Sequence, residues 1–313
     1  MDRTETMEPT PAGQRGVTDL AEVTFSSAGS APGAPPQQIG TAGCSTCGVP
    51  GGTTNVTPSF VYALGRVHPR FPTLAVEKEF AQVTGRTETK GLTDQQAFQA
   101  VLSKRENRYL AHQLCWVLSI EGIETYILRP RDPADLDLLI EAVRPTPRAT
   151  DVDVVIGLRG PVAPAEFCNG LMLPMVAIDQ LYSFDVDSLM KAIPKPEKVS
   201  AKEFAPAAEE LFMRIQQLAD NAGATDEHRA LNYLAVRYHA IYAKTAEQFA
   251  ANSSLTSVEV RPSPLSATRR LVDVIFAYTN RATDVRERFF VRVDVTEEFP
   301  FLASVLSPTV AVL

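Results

Sequence analysis

Apolar residues recur at helical spacing over 73–84 (TLAVEKEFAQVT), and Thr93 with Gln96 forms a capping box ahead of Ala97, Phe98, Val101 and Leu102. Two helices are predicted here, with more helix through Leu110. The runs 115–120 (CWVLSI) and 125–128 (TYIL), parted by Glu121 and Gly122, read as strands joined by a turn, because glycine supplies the positive φ of a tight reversal. Asp132 before Pro133 marks a helix start, and Leu136, Leu139, Ile140 and Val143 then share one face until Pro145. Residues 152–158 (VDVVIGL) read as a buried strand. Residues 171–178 are apolar but interrupted by Pro174, which confines them to an edge or a bulge. Helices are predicted over 203–220 and 226–249, split at residues 221–223 with Gly223 as a C-cap. Strand-like runs follow at 257–261, 270–279 and 288–295. In the last two, Val272, Val274, Phe276 and Tyr278 face Phe289, Val291, Val293 and Val295 across the turn at 280–284, an antiparallel hairpin. Helices mixed with antiparallel strands, without regular βαβ alternation, predict an α+β fold: an antiparallel sheet with packed helices.

Residues 1–56 break this pattern, since they hold nine of the 17 glycines and little periodic apolar content. The organisation predicted is a flexible Gly/Pro/Ser-rich tail over 1–43, a docking segment over 44–57 and one α+β domain over 58–313. With 45% hydrophobic residues the chain has enough apolar material for one large core. The formal net charge of −7 repels phosphate backbones and anionic lipid surfaces, so neither nucleic acid nor a membrane is an expected partner. The polar N-terminus lacks the apolar run of an export signal, and no uninterrupted apolar run approaches bilayer length. A cytoplasmic location is the expectation.

In that compartment thiols stay reduced, so the four cysteines are read first as metal ligands. Cys44-Ser45-Thr46-Cys47-Gly48 has the form of a zinc knuckle, in which two thiolates share one tight turn and the following glycine lets backbone N–H groups point at sulfur. Zinc needs two further ligands, and Cys115, at the head of a predicted strand, and Cys168, in the loop AEFCNG, supply them. Cys44, Cys47, Cys115 and Cys168 are therefore expected to hold one structural Zn²⁺, with His112 as a variant ligand. Four thiolates leave no open position for water, so such a site is inert and its task is to pin the tail to the domain. Two other readings stand beside it. Cys115 and Cys168 are ordinary buried thiols, or Cys44 and Cys47 are a redox pair, although the strand and helix setting that lowers a thiol pKa is missing there.

Catalytic signatures are absent. Neither H-E-x-x-H nor H-x-E with P-C-x-x-C occurs, and there is no G-x-S-x-G elbow, Walker loop or G-x-G-x-x-G fingerprint. His228 and His239 lie eleven residues apart on a plain amphipathic pattern and are read as solvated or capping. An open metal position, or a histidine with an adjacent carboxylate in a pocket, is what would reveal an enzyme.

Long strings across 58–308 carry a family resemblance: VTPSFVYALGRVHPRFP, VEKEFAQVTGR, LSKRENRYLAHQLCWVLSIEGIETYILRPRDPADLDLLIEAVRPTP, VDVVIGLRGP, CNGLMLPMVAIDQLYSF, LADNAGATDEHRALNYLAVRY and VDVIFAYTNRATDVRERFFVRVDVTEEFPFL. With them the chain resembles the C-terminal domain of unassigned function of the subtilisin-type maturation proteases of cyanobactin biosynthesis, the PatA/PatG kind. Nothing corresponds to the protease's Asp, His and Ser blocks, so the expectation is the accessory domain standing alone. The resemblance implies a place in the making of ribosomally synthesised, post-translationally modified peptides and implies no reaction. The chain is expected to act as a non-catalytic scaffold, a homodimer that engages a precursor peptide or a modifying enzyme. The alternative is a pathway enzyme, a peptide hydrolase or isomerase, whose active site no motif identifies.

Overall fold

Strand pairing far apart in sequence organises the molecule. The computed structural model describes residues 59–86, 91–196, 199–217 and 220–309, so the predicted tail and docking segment lie outside the described residues. Five strands close a barrel: β1 (Phe60–Arg70), β2 (Cys115–Ile120), β3 (Ile123–Arg129), β4 (Asp151–Val162) and β5 (Pro174–Asp185), in the order β1-β2-β3-β5-β4. Neighbours are antiparallel except β3 and β5, which run parallel with Ile127 opposite Met175. The connection from β1 to β2 carries α1 (Leu74–Arg86), α2 (Asp94–Leu102) and α3 (Arg108–Gln113), and α4 (Pro133–Ala142) lies between β3 and β4. Four helices then follow, α5 (Val186–Ala192), α6 (Ala201–Gln216), α7 (Asp226–Arg237) and α8 (Ala240–Ala250). They lead to a second sheet of β6 (Ser253–Pro262), β7 (Leu271–Asn280), β8 (Arg286–Asp294), β9 (Phe301–Leu302) and β10 (Ser307–Pro308), ordered β10-β8-β7-β6 with β9 also on β8.

The fold class is α+β, with two sheets where one was expected. Strand β1 was not anticipated and pairs with both β2 and β4. Pro174 opens β5 beside a bulge, one of the two settings expected of it: it pairs with Val162, and the β4–β5 register shifts between Arg159 and Val162. The capping boxes are present, with Thr93 accepting from the Gln96 N–H and Asp132 from the Ala134 N–H. The hairpin register is the expected one, with Val272 opposite Val293, Val274 opposite Val291 and Phe276 opposite Phe289. The helix predicted over 226–249 is two, α7 and α8, interrupted at Tyr238 and His239.

Strand alternation sorts side chains among three apolar clusters. On β2, Trp116 and Leu118 join Val61, Val155, Ile178 and the α2–α4 residues Leu102, Leu110 and Leu139 in one cluster. On β1 and β4, Tyr62, Leu64, Val154 and Ile156 turn the other way and meet α6–α8 and the inner face of the second sheet. Cys115 and Val117 of β2, with Ile127 of β3, meet Ala163 and Cys168 in a third, smaller cluster. At about 25 cal/mol per Å² of apolar area, the first two dominate the driving force.

Two polar devices fix the barrel's register. Asp153, 4% exposed, accepts from the Val67 N–H at 2.7 Å and the Ser183 hydroxyl at 2.5 Å, and burial pushes its carboxyl above the usual range. Gly223, at φ +70°, places its carbonyl on the Tyr62 N–H at 2.9 Å, where a Cβ would overlap the Tyr62 carbonyl. It is therefore not the C-cap of α6, which ends at Gln216. Asn232 completes this knot by donating to the Tyr62 carbonyl at 2.8 Å while exchanging bonds with Asn221 at 2.8 and 3.2 Å.

Candidate functional site

Cys115 stands at the start of β2 and Cys168 in the loop covering that strand, and their sulfurs are paired across a Cα separation of 5.9 Å. They are 3% and 0% exposed, and the Cys115 sulfur also approaches the Phe167 carbonyl at 3.5 Å. The loop holds this geometry with left-handed Asn169 and Gly170, at φ 48° and 85°, and the Arg129 guanidinium lies 4.8 Å from the Phe167 ring centre. Two cysteines separated by 52 intervening residues thus converge. Cys44 and Cys47 lie outside the described residues, and His112 is exposed on α3. Among the described residues no group of three or more His, Cys, Asp or Glu is placed to hold a metal.

The same outer barrel face continues away from the cysteines. Residues opposite one another on antiparallel strands share a face, and the register sets Arg70 opposite Cys115, His68 opposite Val117 and Arg66 opposite Ser119. His68 bridges two strands: its Nδ1 lies 3.3 Å from the Ser119 hydroxyl and its Nε2 3.2 Å from Glu124 Oε1. Arg70 grips both oxygens of the same carboxylate at 2.6 Å. Partial burial favours the neutral Glu124 carboxyl, yet the bonds from Arg70 and His68 outweigh it and hold the group below the usual range. Glu124 is an anion at neutral pH, so it accepts from Nε2–H, and Nδ1 is then the acceptor for the Ser119 O–H.

Ser119 also belongs to the wall of a cavity of about 320 Å³, bounded by β1, the β2–β3 turn, the start of β4 and the α6–α7 connection. Arg66 is the cation of that wall and Glu121 and Asp151 are its acids. The Arg66 guanidinium donates to the carbonyls of Arg148 and Ala149, at 2.9 and 2.5 Å.

A second polar centre lies where β5 meets the chain after β8. Arg131 pairs with Asp179 Oδ1, while Asp179 Oδ2 and Glu298 Oε1 are out of solvent with no donor. Desolvation and the neighbouring Asp179 push the Glu298 carboxyl up to about 7, against the pull of Arg131 and Arg229. Arg229 itself is 1% exposed, donates to the Val295 and Glu298 carbonyls at 2.9 and 3.0 Å, and lies 5.2 Å from the Phe60 ring centre.

The cysteine count singled out Cys115 and Cys168 as zinc ligands, and their direct pairing with each other was not expected. Nor were the His68 network and the acid pair, because each is assembled from strands and loops that only the barrel register brings together.

Residues 198–308 match the family model described as PatG C-terminal. A solved structure described as "PatG Domain of Unknown Function" is similar over 80% of this chain and 98% of its own, with TM-score 0.65 and 20% identity. At that identity the likeness speaks for the fold. No curated protein matches the chain. Residues 198–308 thus match the PatG C-terminal family model, in a chain whose fold is similar to that of the PatG domain of unknown function.

Proposed function

We propose that the protein is an accessory factor in the maturation of ribosomally synthesised, post-translationally modified peptides of the cyanobactin kind, where it binds a precursor peptide or a modifying enzyme. The PatG C-terminal match and the shared fold are what support this reading. A barrel has no free strand edge, so the docking strand is β6, which among the described residues pairs with β7 alone. An extended peptide adds there through main-chain bonds, with exposed Glu259 and Arg261 selecting its charges. A homodimer in the cytoplasm belongs to the same reading, as does, with the Cys115–Cys168 bond reduced to two thiolates, one structural zinc held by Cys44, Cys47, Cys115 and Cys168.

Titration calorimetry against the precursor peptide and its modifying enzymes, followed by hydrogen exchange on the complex, tests the proposal. Binding with slowed exchange along 253–262 is expected. Heat with none of these partners removes the accessory role, and protection confined to other strands removes the β6 dock. The sedimentation mass checks the dimer independently. The pathway-enzyme reading also retains support, from one observation: a histidine carrying a carboxylate on one ring nitrogen and a hydroxyl on the other.

A further inference from the structure

We propose that Ser119, His68 and Glu124 form a nucleophilic acyl-transfer site that opens on the 320 Å³ cavity beside β2. Only the choice of a peptide as natural substrate rests on the pathway reading above; the chemistry stands on the geometry.

A serine hydroxyl is a weak nucleophile until a base takes its proton in the transition state, and a base performs best when a third group fixes its tautomer. All three parts are in line. Glu124, kept ionised, accepts from His68 Nε2–H at 3.2 Å, which leaves the Nδ1 lone pair facing the Ser119 hydroxyl at 3.3 Å. The ring nitrogens are exchanged relative to the Ser-His-Asp arrangement of the familiar hydrolases, but roles follow geometry rather than atom name. Arg70 bonds both oxygens of Glu124, including the Oε1 that His68 reaches, and so positions the acid.

The register explains how the acid reaches this serine's face. β2 and β3 slip register between Leu118 and Ser119, where Thr125 is the extra residue on β3, and the bulge brings Glu124 opposite Ser119. On the β1 side Gly65 lets the Ser119 backbone come close, since a Cβ there would overlap the Ser119 carbonyl. An isolated cross-strand ion pair needs only Arg70 and Glu124. The hydroxyl on the far nitrogen of His68 adds nothing to that pair, and Ser119 is part of a cavity wall.

Ser119 Oγ forms a bond to the carbonyl carbon as its proton passes to His68 Nδ1, and the carbonyl π pair moves onto oxygen. Arg66, whose guanidinium donates to the Arg148 and Ala149 carbonyls, is the cation on the same wall. Collapse expels the amine or alkoxide, which takes the proton from Nδ1, leaving Ser119 acylated. Water then releases an acid, or a peptide amine releases a new amide, each returning its proton through Nδ1.

The full-length protein is treated with a fluorophosphonate probe and with p-nitrophenyl acetate, and modified sites are located by mass spectrometry. Phosphonylation at Ser119 is expected, lost in Ser119→Ala and reduced about 10²-fold or more in His68→Gln. Glu124→Gln keeps the nucleophile and the base, so it lowers acylation while changing its pH profile, which a merely structural role would not do. Melting curves accompany each variant, and Ser119→Cys, which keeps a nucleophile in place, must be alkylated by iodoacetamide faster in the presence of His68 than with His68→Gln. Absence of label on Ser119 in the folded protein, or equal labelling in His68→Gln, overturns the proposal. Peptide binding that survives in Ser119→Ala leaves the accessory reading standing, so the two fail separately.

Discussion

Glu298→Gln is the substitution whose effect the structure specifies most closely. The carboxyl faces Asp179 on β5, with Arg131 before α4 and Arg229 on α7 as the cations around it. Its folded pKa of about 7 stands above the ordinary 4.5 because desolvation and Asp179 favour the protonated form. Between those values the folded protein keeps a proton that the unfolded chain has released. The contribution is therefore complete below the unfolded value and is lost as pH rises through about 7. The full interval corresponds to roughly 3 kcal/mol at about 1.4 kcal/mol per pH unit. Water still reaches this carboxyl, and screening leaves about 1 to 2 kcal/mol. Glutamine cannot ionise, and its amide N–H supplies a donor where Asp179 Oδ2 has none. Urea unfolding of both proteins from pH 5 to pH 8.5 should give near-equal stabilities at the acid end and a variant about 1 to 2 kcal/mol more stable at the alkaline end. A stability difference that stays constant across the range refutes a shared proton at this pair.

Three further outcomes follow from the geometry. Asn232→Ala strands the Tyr62 carbonyl and the Asn221 amide in a buried site, so chemical unfolding should register a loss of about 2 to 4 kcal/mol; a loss under about 0.5 kcal/mol contradicts the knot. Gly223→Ala meets both a left-handed φ of +70° and the Tyr62 carbonyl, and a melting curve should show a loss of about 2 kcal/mol or more. Thiol titration of the denatured, unreduced protein separates the two fates of the cysteines. A Cys115–Cys168 bond leaves two of the four titratable, whereas a four-thiolate zinc gives four thiols and about one metal ion per chain by elemental analysis.

Much of the secondary structure was legible because its signals are local. Thr93 and Asp132 cap their helices through bonds spanning two or three residues, and the β7–β8 hairpin needs only alternation and a turn. The misses are long-range. FVYALGRVHPR does not alternate cleanly, since β1 is buried on one side against α7 and on the other within the barrel, and Gly65 and Pro69 read as breakers. Strand β5 pairs in parallel with β3 from Met175 onward, a pairing that no turn announces. The break between α7 and α8 has no glycine or proline to mark it.

The candidate sites divide along the same line. Cysteines are few and chemically singular, so their number directed attention to Cys115 and Cys168 as zinc ligands before any fold was known, whereas their direct pairing across β2 and its covering loop was not part of that expectation. Serine and glutamate are common, the four histidines are no fewer than the cysteines, and Ser119, His68 and Glu124 form no spaced motif. They meet because β1 and β2 pair with Arg66 opposite Ser119 while a register slip brings Glu124 opposite that same serine. A slip of one residue in either ladder would send the side chains to opposite faces and dissolve the network. Its existence therefore depends on the devices that pin the register: the Asp153 carboxyl bonded to Val67 and Ser183, and the glycines at 65 and 157 that admit their neighbours' carbonyls. Chemistry on this barrel is written in strand pairing, and a motif search along the chain has no access to it.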